Sequence, residues 1–337
     1  MASDGSSLLR SLRIDKEAWT LEGTRVSRPA AIALSLAIGL LAASLSVLIP
    51  AEISAGGVPI GDIGPPMLGF ERYLQGHSPY GISVKKGQLA AYPFPTMMLL
   101  SPLRFIPLPL VAPLFCGFSA AALAFAVLIT GPPWRLLMML SVPFLSTIHS
   151  VQWSMLFTAA ILCAPLLPLS VAKPQLGLVL LGVGSWKRST IGTTIALLVL
   201  SFVLLPSWPL LWWRDGALGT YTGRSPLFVL PGFLLLSAAL YWRKANGRLL
   251  LLMSVIRQRY FYDQLPLFLV PRTWRQMVVL LVLSWAGALI AFAVGWEPRS
   301  GSQTLSTFRM AVISLYLPSL AMLFWQERAA RRSVARE

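Results

Sequence analysis

The sequence predicts an all-α fold: a polytopic transmembrane helical bundle of about 9–11 spans, with a large first outer loop that carries a surface helix. Three observations carry this prediction. Of 337 residues, 56% are hydrophobic and only 12% are charged, against roughly a quarter charged in a soluble domain. The apolar residues also come in long blocks, and 29–49, 110–130, 189–213, 225–242 and 276–296 hold no Asp, Glu, Lys or Arg. A helix crossing ~30 Å of hydrocarbon at 1.5 Å per residue needs about 20 such residues. Finally, 28 Lys and Arg stand against 12 Asp and Glu, a net charge of +16. Basic loops beside anionic lipid headgroups account for that excess. No basic stripe interleaved with aromatics lies outside the apolar blocks, so membrane lipids are expected partners and nucleic acid is not.

The elements follow in order. Residues 1–28 form a cytoplasmic juxtamembrane segment in which Leu8, Leu9, Leu12 and Ile14 alternate with Arg10 and Arg13, the pattern of a short amphipathic surface helix. The first span runs from Pro29 to Pro50. It is too long for a signal-peptide core of about 7–15 residues, so it is expected to stay uncleaved. Residues 51–91 are the first outer loop, rich in Gly and Pro. Within it Pro65-Pro66 open a stretch where Met67, Leu68, Phe70, Tyr73 and Leu74 recur at helical spacing, predicting a helix that lies flat on the membrane. Residues 92–109 carry Arg104 and five prolines, which predicts a broken or re-entrant segment.

A span at 110–130 reaches a tight turn at Gly131–Arg135. Residues 136–172 are uncharged for 37 positions, too many for one pass, and His149, Ser150 and Gln152 mark a hinge between two shorter helices. Lys173-Pro174 interrupts the next apolar stretch. Spans at 189–213 and 225–242 flank the polar loop Arg214 to Arg224. In 249–271, Arg257, Gln258, Arg259, Tyr260, Tyr262 and Asp263 lie between half-length apolar pieces, predicting two short helices that meet at a polar vertex. Spans at 276–296 and 310–326 complete a transmembrane domain of residues 29–326, and 327–337 form a basic cytoplasmic tail.

With a cytoplasmic N-terminus, 17 of the 28 cations fall on the inner side, the expected bias for a multi-pass protein of the plasma (inner) membrane. Six acids lie in the cytoplasmic tails. The other six, Glu52, Asp62, Glu71, Asp215, Asp263 and Glu297, face outward. Inner loops between spans carry no acid, and no Gly-rich phosphate loop is present, which excludes cytoplasmic nucleotide chemistry on bound Mg²⁺. An active site is expected to open outward. Cys116 and Cys163 sit in apolar blocks without a CxxC partner and read as packing residues.

An ionisable group inside an apolar stretch is a functional hypothesis by default. That rule selects Lys173, His149 and Asp263. Each has a plainer reading: Asp263 beside Arg257 and Arg259 can simply brace the vertex, and His149 can cap the hinge. His77, Lys85 and Lys86 sit in the outer loop within reach of a phosphate headgroup, where solvation alone also explains them. Trp208, Trp212 and Trp213 end a span as an interfacial aromatic belt does, and Tyr221 in the following loop could stack on a sugar.

The first loop contains Asp62-Ile63-Gly64-Pro65-Pro66, then Leu74-Gln75-Gly76-His77-Ser78-Pro79-Tyr80, Tyr92-Pro93-Phe94-Pro95 and Ser101-Pro102-Leu103. This series resembles the Asp … Leu-x-Gly-x-x-Pro-Tyr … Tyr-Pro-Pro … Pro-Leu pattern of GT-C class membrane glycosyltransferases, in particular the polyprenyl-phosphate-mannose-dependent alpha-mannosyltransferases and their uncharacterised relatives. Gln152-Trp153-Ser154-Met155-Leu156 is similar to that family's Gly-Gln-x-x-x-Leu hinge. Ala172-Lys173-Pro174-Gln175 is similar to its Lys-Pro step, and Tyr262-Asp263-Gln264-Leu265-Pro266 to its late Tyr-Asp position. Two features depart from the pattern: Val151 stands where Gly is usual, and the chain is short, as if missing a helix before Lys173.

The resemblance implies a GT-C fold and a hexosyltransferase, mannose-like in substrate, that uses a polyprenyl-phosphate sugar donor and a lipid or glycan acceptor on the outer face. Transfer needs a base for the acceptor hydroxyl and cations for the departing phosphate. By resemblance Asp62 is the base. Arg257, Arg259 and Lys173 would hold the phosphate, while Asp263, Tyr262, Gln152, His149 and His77 complete the substrate site. No cofactor or metal is called for. Two rivals stand beside this reading. Broken helices and charges within the membrane also mark transporters and lipid-handling proteins, although no repeat relates the two halves. The shortened hinge region suits a catalytically silent assembly subunit.

Overall fold

The computed structural model describes residues 19, 21, 26–51, 53–55, 57–81, 83–85, 88–89, 92–217, 224–258, 261–293 and 305–334, and about 81% of these are helical. The amphipathic helix expected within 1–28, along with Lys86, Tyr221 and Arg259, lies outside the described residues.

Helix α1 (Arg28–Leu48) starts on Pro29 and buries only Ala31, Ser35, Gly39, Ala42 and Ser46. All are small and recur every three to four residues, while Leu40 and Leu48 point outward. Lipid is as apolar as leucine, so helices in a membrane associate through close backbone approach rather than through burial of large side chains. Two short antiparallel strands, β1 (Ser54–Ala55) and β2 (Val58–Pro59), turn the chain into α2 (Gly64–Leu74), a helix where the spacing predicts one. A second pair, β3 (Ser83–Lys85) and β4 (Gln88–Leu89), precedes α3 (Phe94–Leu100), which packs against α2. The prolines of 92–109 break this segment as expected, since a 3₁₀ turn at Ser101–Phe105 follows α3.

Helix α4 (Leu108–Thr130) lies against α1. A Cβ on Gly39 would sit 2.7 Å from the Gly117 carbonyl oxygen, so the two backbones touch where glycine faces glycine. A 3₁₀ stretch at Pro133–Leu140 leads to α5 (Val142–Ser150), capped by Ser141, and then to α6 (Ser154–Leu162) across the predicted hinge. Another 3₁₀ stretch, Ala164–Ala172, precedes α7 (Pro174–Val183). Cys116 is buried, Cys163 is partly buried and both are free thiols.

Helix α8 (Arg188–Leu204) turns by 86° into the segment of α9 (Trp208–Trp212). The expected span at 189–213 is thus a bent pair: Pro206 holds Leu205 out of the helical region and ends the helix. Trp208, read as part of an interfacial belt, is instead buried with Tyr80, Phe94 and Met97, whereas Trp213 is exposed. The predicted span at 225–242 is two 3₁₀ pieces, Pro226–Phe228 and Gly232–Tyr241, separated around Pro231.

Helix α10 (Ala245–Val255) and the 3₁₀ helix Phe261–Leu269 meet at the predicted polar vertex. The chain ends with α11 (Trp274–Ala293), α12 (Leu305–Ala311), a π turn at Val312–Tyr316 and α13 (Leu317–Val334). Pro318 has no N–H, and the widened turn just before it absorbs the missing hydrogen bond.

Among the described residues, four helices are long and apolar enough to cross a membrane: Arg28–Leu48, Leu108–Thr130, Trp274–Ala293 and Phe308–Arg332. The bent α8–α9 pair makes a fifth. The sequence predicts about twice as many. Prolines and polar vertices cut 133–183 and 225–270 into pieces of half-span length, and broken backbone is stable at membrane depth where protein surrounds it. The chain is an all-α protein with the helices of a membrane protein.

The basic loops gather at one end. Arg135 is only 1% exposed and donates to the Trp19 carbonyl at 3.1 Å, while the Trp19 indole donates to the Val183 carbonyl at 3.3 Å. Arg248 donates to the Gly182 carbonyl at 3.0 Å, Lys244 pairs with Glu327, and Gln326 donates to the Val270 carbonyl at 3.0 Å.

Candidate functional site

Asp62 is placed by two left-handed residues that lean on each other. Gly61 has φ +57°, and a Cβ there would lie 2.6 Å from the Ser150 carbonyl oxygen and 2.7 Å from the Val151 Cβ. Val151, which ends α5, has φ 50° and ψ 61°. A β-branched residue in that region is a real outlier, costing about 1–2 kcal/mol, and such strain persists where the surroundings hold it in place. The position where the family pattern usually has Gly is thus one where glycine would be relaxed and valine is not.

Across this contact the Asp62 carboxylate accepts a hydrogen bond from the Gln152 side-chain amide, joining the first loop to a hinge 90 residues away. Asp62 is partly buried and Gln152 fully so. Around the hinge, four polar atoms have no hydrogen-bond partner: Gln152 Oε1, His149 Nδ1, Trp153 Nε1 and Ser154 Oγ. Native interiors leave few such atoms, each costing about 1–3 kcal/mol when nothing satisfies it.

A second polar centre lies behind the hinge. Lys173 Nζ is 2.6 Å from Asp263 Oδ1, with both side chains buried, and it sits 4.9 Å from the centre of the Tyr262 ring. Pro174 draws Lys173 out of the helix at the head of α7, and Thr96 of α3 donates to the neighbouring Ala172 carbonyl. The segment Phe261–Leu269 is buried along its whole length and packs against both α5 and α6, the helices on either side of Gln152. The two centres therefore share a wall.

Several predicted residues fall elsewhere. Asp263 pairs with Lys173, 90 residues away; Arg257 is exposed and Arg259 is outside the described residues. With Lys173 so engaged, the phosphate-holding role expected of it would require the ion pair to open. His77 is exposed just past the end of α2, its backbone N–H bonded to the Arg72 carbonyl at 3.0 Å, and nothing brings it to Gln152. Tyr262 is enclosed beneath Lys173. Glu71, one of the acids expected to face outward, pairs with Arg104 at 3.4 Å, while Arg72 donates to the Ser78 carbonyl at 3.1 Å.

Sequence reading missed a buried relay at the vertex. Tyr316 donates to Gln258 Oε1 at 2.5 Å, Gln264 donates to the same oxygen at 2.9 Å, and Gln258 donates to the Met253 carbonyl. The available signals were two glutamines within the polar vertex, Gln258 and Gln264, and Pro318 just after Tyr316, which marks the irregular turn.

A groove of about 350 Å³ runs along α2, lined by Ile60, Gly64, Met67, Phe70 and Leu103, with the Glu71–Arg104 pair also on its wall; Asp62 is not part of its lining. Among the described residues no three His, Cys, Asp or Glu side chains gather as metal ligands would. No protein-family profile, curated protein or solved structure matches the chain.

Proposed function

We propose that this chain is a membrane glycosyltransferase of GT-C type. It moves a hexose, mannose-like by resemblance, from a polyprenyl-phosphate donor to an outer-face acceptor, with Asp62 as general base. One observation carries the reading: a partly buried carboxylate is held on a strained turn by an amide from the hinge, among polar atoms that lack partners. A general base must be oriented toward the acceptor hydroxyl, and the Gln152 amide donating to Asp62 Oδ2 supplies such an orientation. The groove along α2, which starts at Ile60 and Gly64 on either side of Asp62 in the chain, is largely apolar with an ion pair on its wall, a chemistry suited to a lipid-linked substrate. The buried Lys173–Asp263 pair braces the wall behind the hinge.

The testing experiment is transfer of labelled sugar from a polyprenyl-phosphate donor in reconstituted membranes. Loss of a general base is expected to slow Asp62→Asn by roughly 10²–10⁴-fold with unchanged expression and melting. Equal rates in the two proteins would remove Asp62 from its role. The silent-subunit reading is favoured by exposed Arg257 and by the engagement of Lys173 with Asp263; on that reading the wild type transfers nothing.

A further inference from the structure

The far end of the molecule carries a feature that transfer chemistry does not use. Ala321, Phe324, Trp325, Arg328, Ala329 and Arg332 line a groove of about 630 Å³ on α13. Their spacing of three and four places them on one helix face about 16 Å long at 1.5 Å per residue. The upper part is apolar and small enough at its alanines to admit a chain. The lower part is two guanidinium groups one turn apart. Trp325 stands 74% exposed between them.

The neighbouring carboxylate, Glu327, is taken by Lys244, and among the described residues neither Arg328 nor Arg332 has a carboxylate partner. Gln326 ties this level of α13 to the 270–276 loop, through the Val270 carbonyl and the Gln276 side chain, both at 3.0 Å. Trp242 and Trp274 are also exposed near this level, as in the aromatic belts that mark a headgroup layer. The groove thus runs from an apolar end at Ala321 and Phe324 to a positively charged end at Arg328 and Arg332.

We infer that this face of α13 is a binding site for one anionic phospholipid of the surrounding leaflet. An acyl chain lies along Ala321 and Phe324, and the phosphodiester lies between Arg328 and Arg332. Two guanidiniums one turn apart match a phosphate that carries a full negative charge without a compensating ammonium. The occupant is accordingly a phosphatidylglycerol-type lipid rather than a zwitterionic one.

The test is native mass spectrometry of the full-length protein released from mixed micelles, titrated with phosphatidylglycerol or phosphatidylcholine. The wild type should retain phosphatidylglycerol in preference to phosphatidylcholine. The R328Q/R332Q variant should bind it about 30-fold more weakly, from roughly 1 kcal/mol per arginine near the surface. The charge-matched R243Q/R275Q variant, altered at exposed arginines of the same end, should keep wild-type affinity. Equal retention of the two lipids, unchanged affinity in R328Q/R332Q, or an equal loss in R243Q/R275Q, which would mean a diffuse basic field, overturns the site. All four arginines are exposed, and circular dichroism with size-exclusion elution of each variant verifies the fold.

Discussion

At the scale of single residues, Gly61 and the Lys173–Asp263 pair make the sharpest demands. Any side chain at Gly61 meets backbone of the hinge rather than a flexible tip, and its φ of +57° penalises every L-residue with a Cβ. Gly61→Ala is expected to destabilise the protein by about 1–3 kcal/mol and to weaken the Asp62–Gln152 contact, measured by thermal unfolding in micelles. The buried ion pair behaves differently. Lys173→Met or Asp263→Leu alone breaks the pair and should cost about 3–5 kcal/mol, whereas K173M/D263L together should recover most of that loss. A double-mutant cycle of unfolding free energies checks it, and additive losses would mean that the two side chains do not act as a pair. That Asp263 and Lys173 are anomalous was legible from their apolar surroundings. That they find each other across 90 residues was not, because Arg257 and Arg259 offered nearer opposite charges.

At the scale of elements, the seam between α1 and α4 shows what holds long helices together where solvent gives no push. Its small residues leave the backbones in contact at Gly39 and Gly117. Gly39→Val should overpack the seam by about 1–3 kcal/mol, read as a lowered melting temperature. The outward Leu40→Val, on the lipid side of the same helix, should change little. The charge-free blocks made α1, α4 and α11 readable because length and apolarity suffice to specify a spanning helix. The hinge at Gln152 and the break at Lys173-Pro174 were readable because polar residues and proline interrupt a helix locally. The 86° turn after Leu204 and the 3₁₀ pieces of 226–241 were not read. Prolines 206, 226 and 231 lie in charge-free blocks, and hydropathy averaged over a window hides a single proline.

At the scale of the whole molecule, charge and irregularity separate. One end collects Arg135, Lys244, Arg248 and the arginines of α13 with their backbone ties; toward the other lie the first loop, the hinge and Asp62. Composition pointed to basic loops because an excess of cations is a property of the whole chain, insensitive to where each span begins. The site itself was only half foretold. Asp62 and Gln152 came from motif spacing, and the structure joins them. Their strained support and the Gln258–Gln264–Tyr316 relay emerge only when distant segments are packed.

The first-loop helix is fastened at both ends, by the Gly61 turn against the Ser150–Val151 backbone and by the Tyr73 hydroxyl donating to the Leu204 carbonyl at 2.9 Å. A segment riveted twice to the bundle is a fixed roof, not a door. On the proposed function, a lipid-linked substrate would then reach the carboxylate past a roof that does not lift, and its supply would follow lateral diffusion in two dimensions.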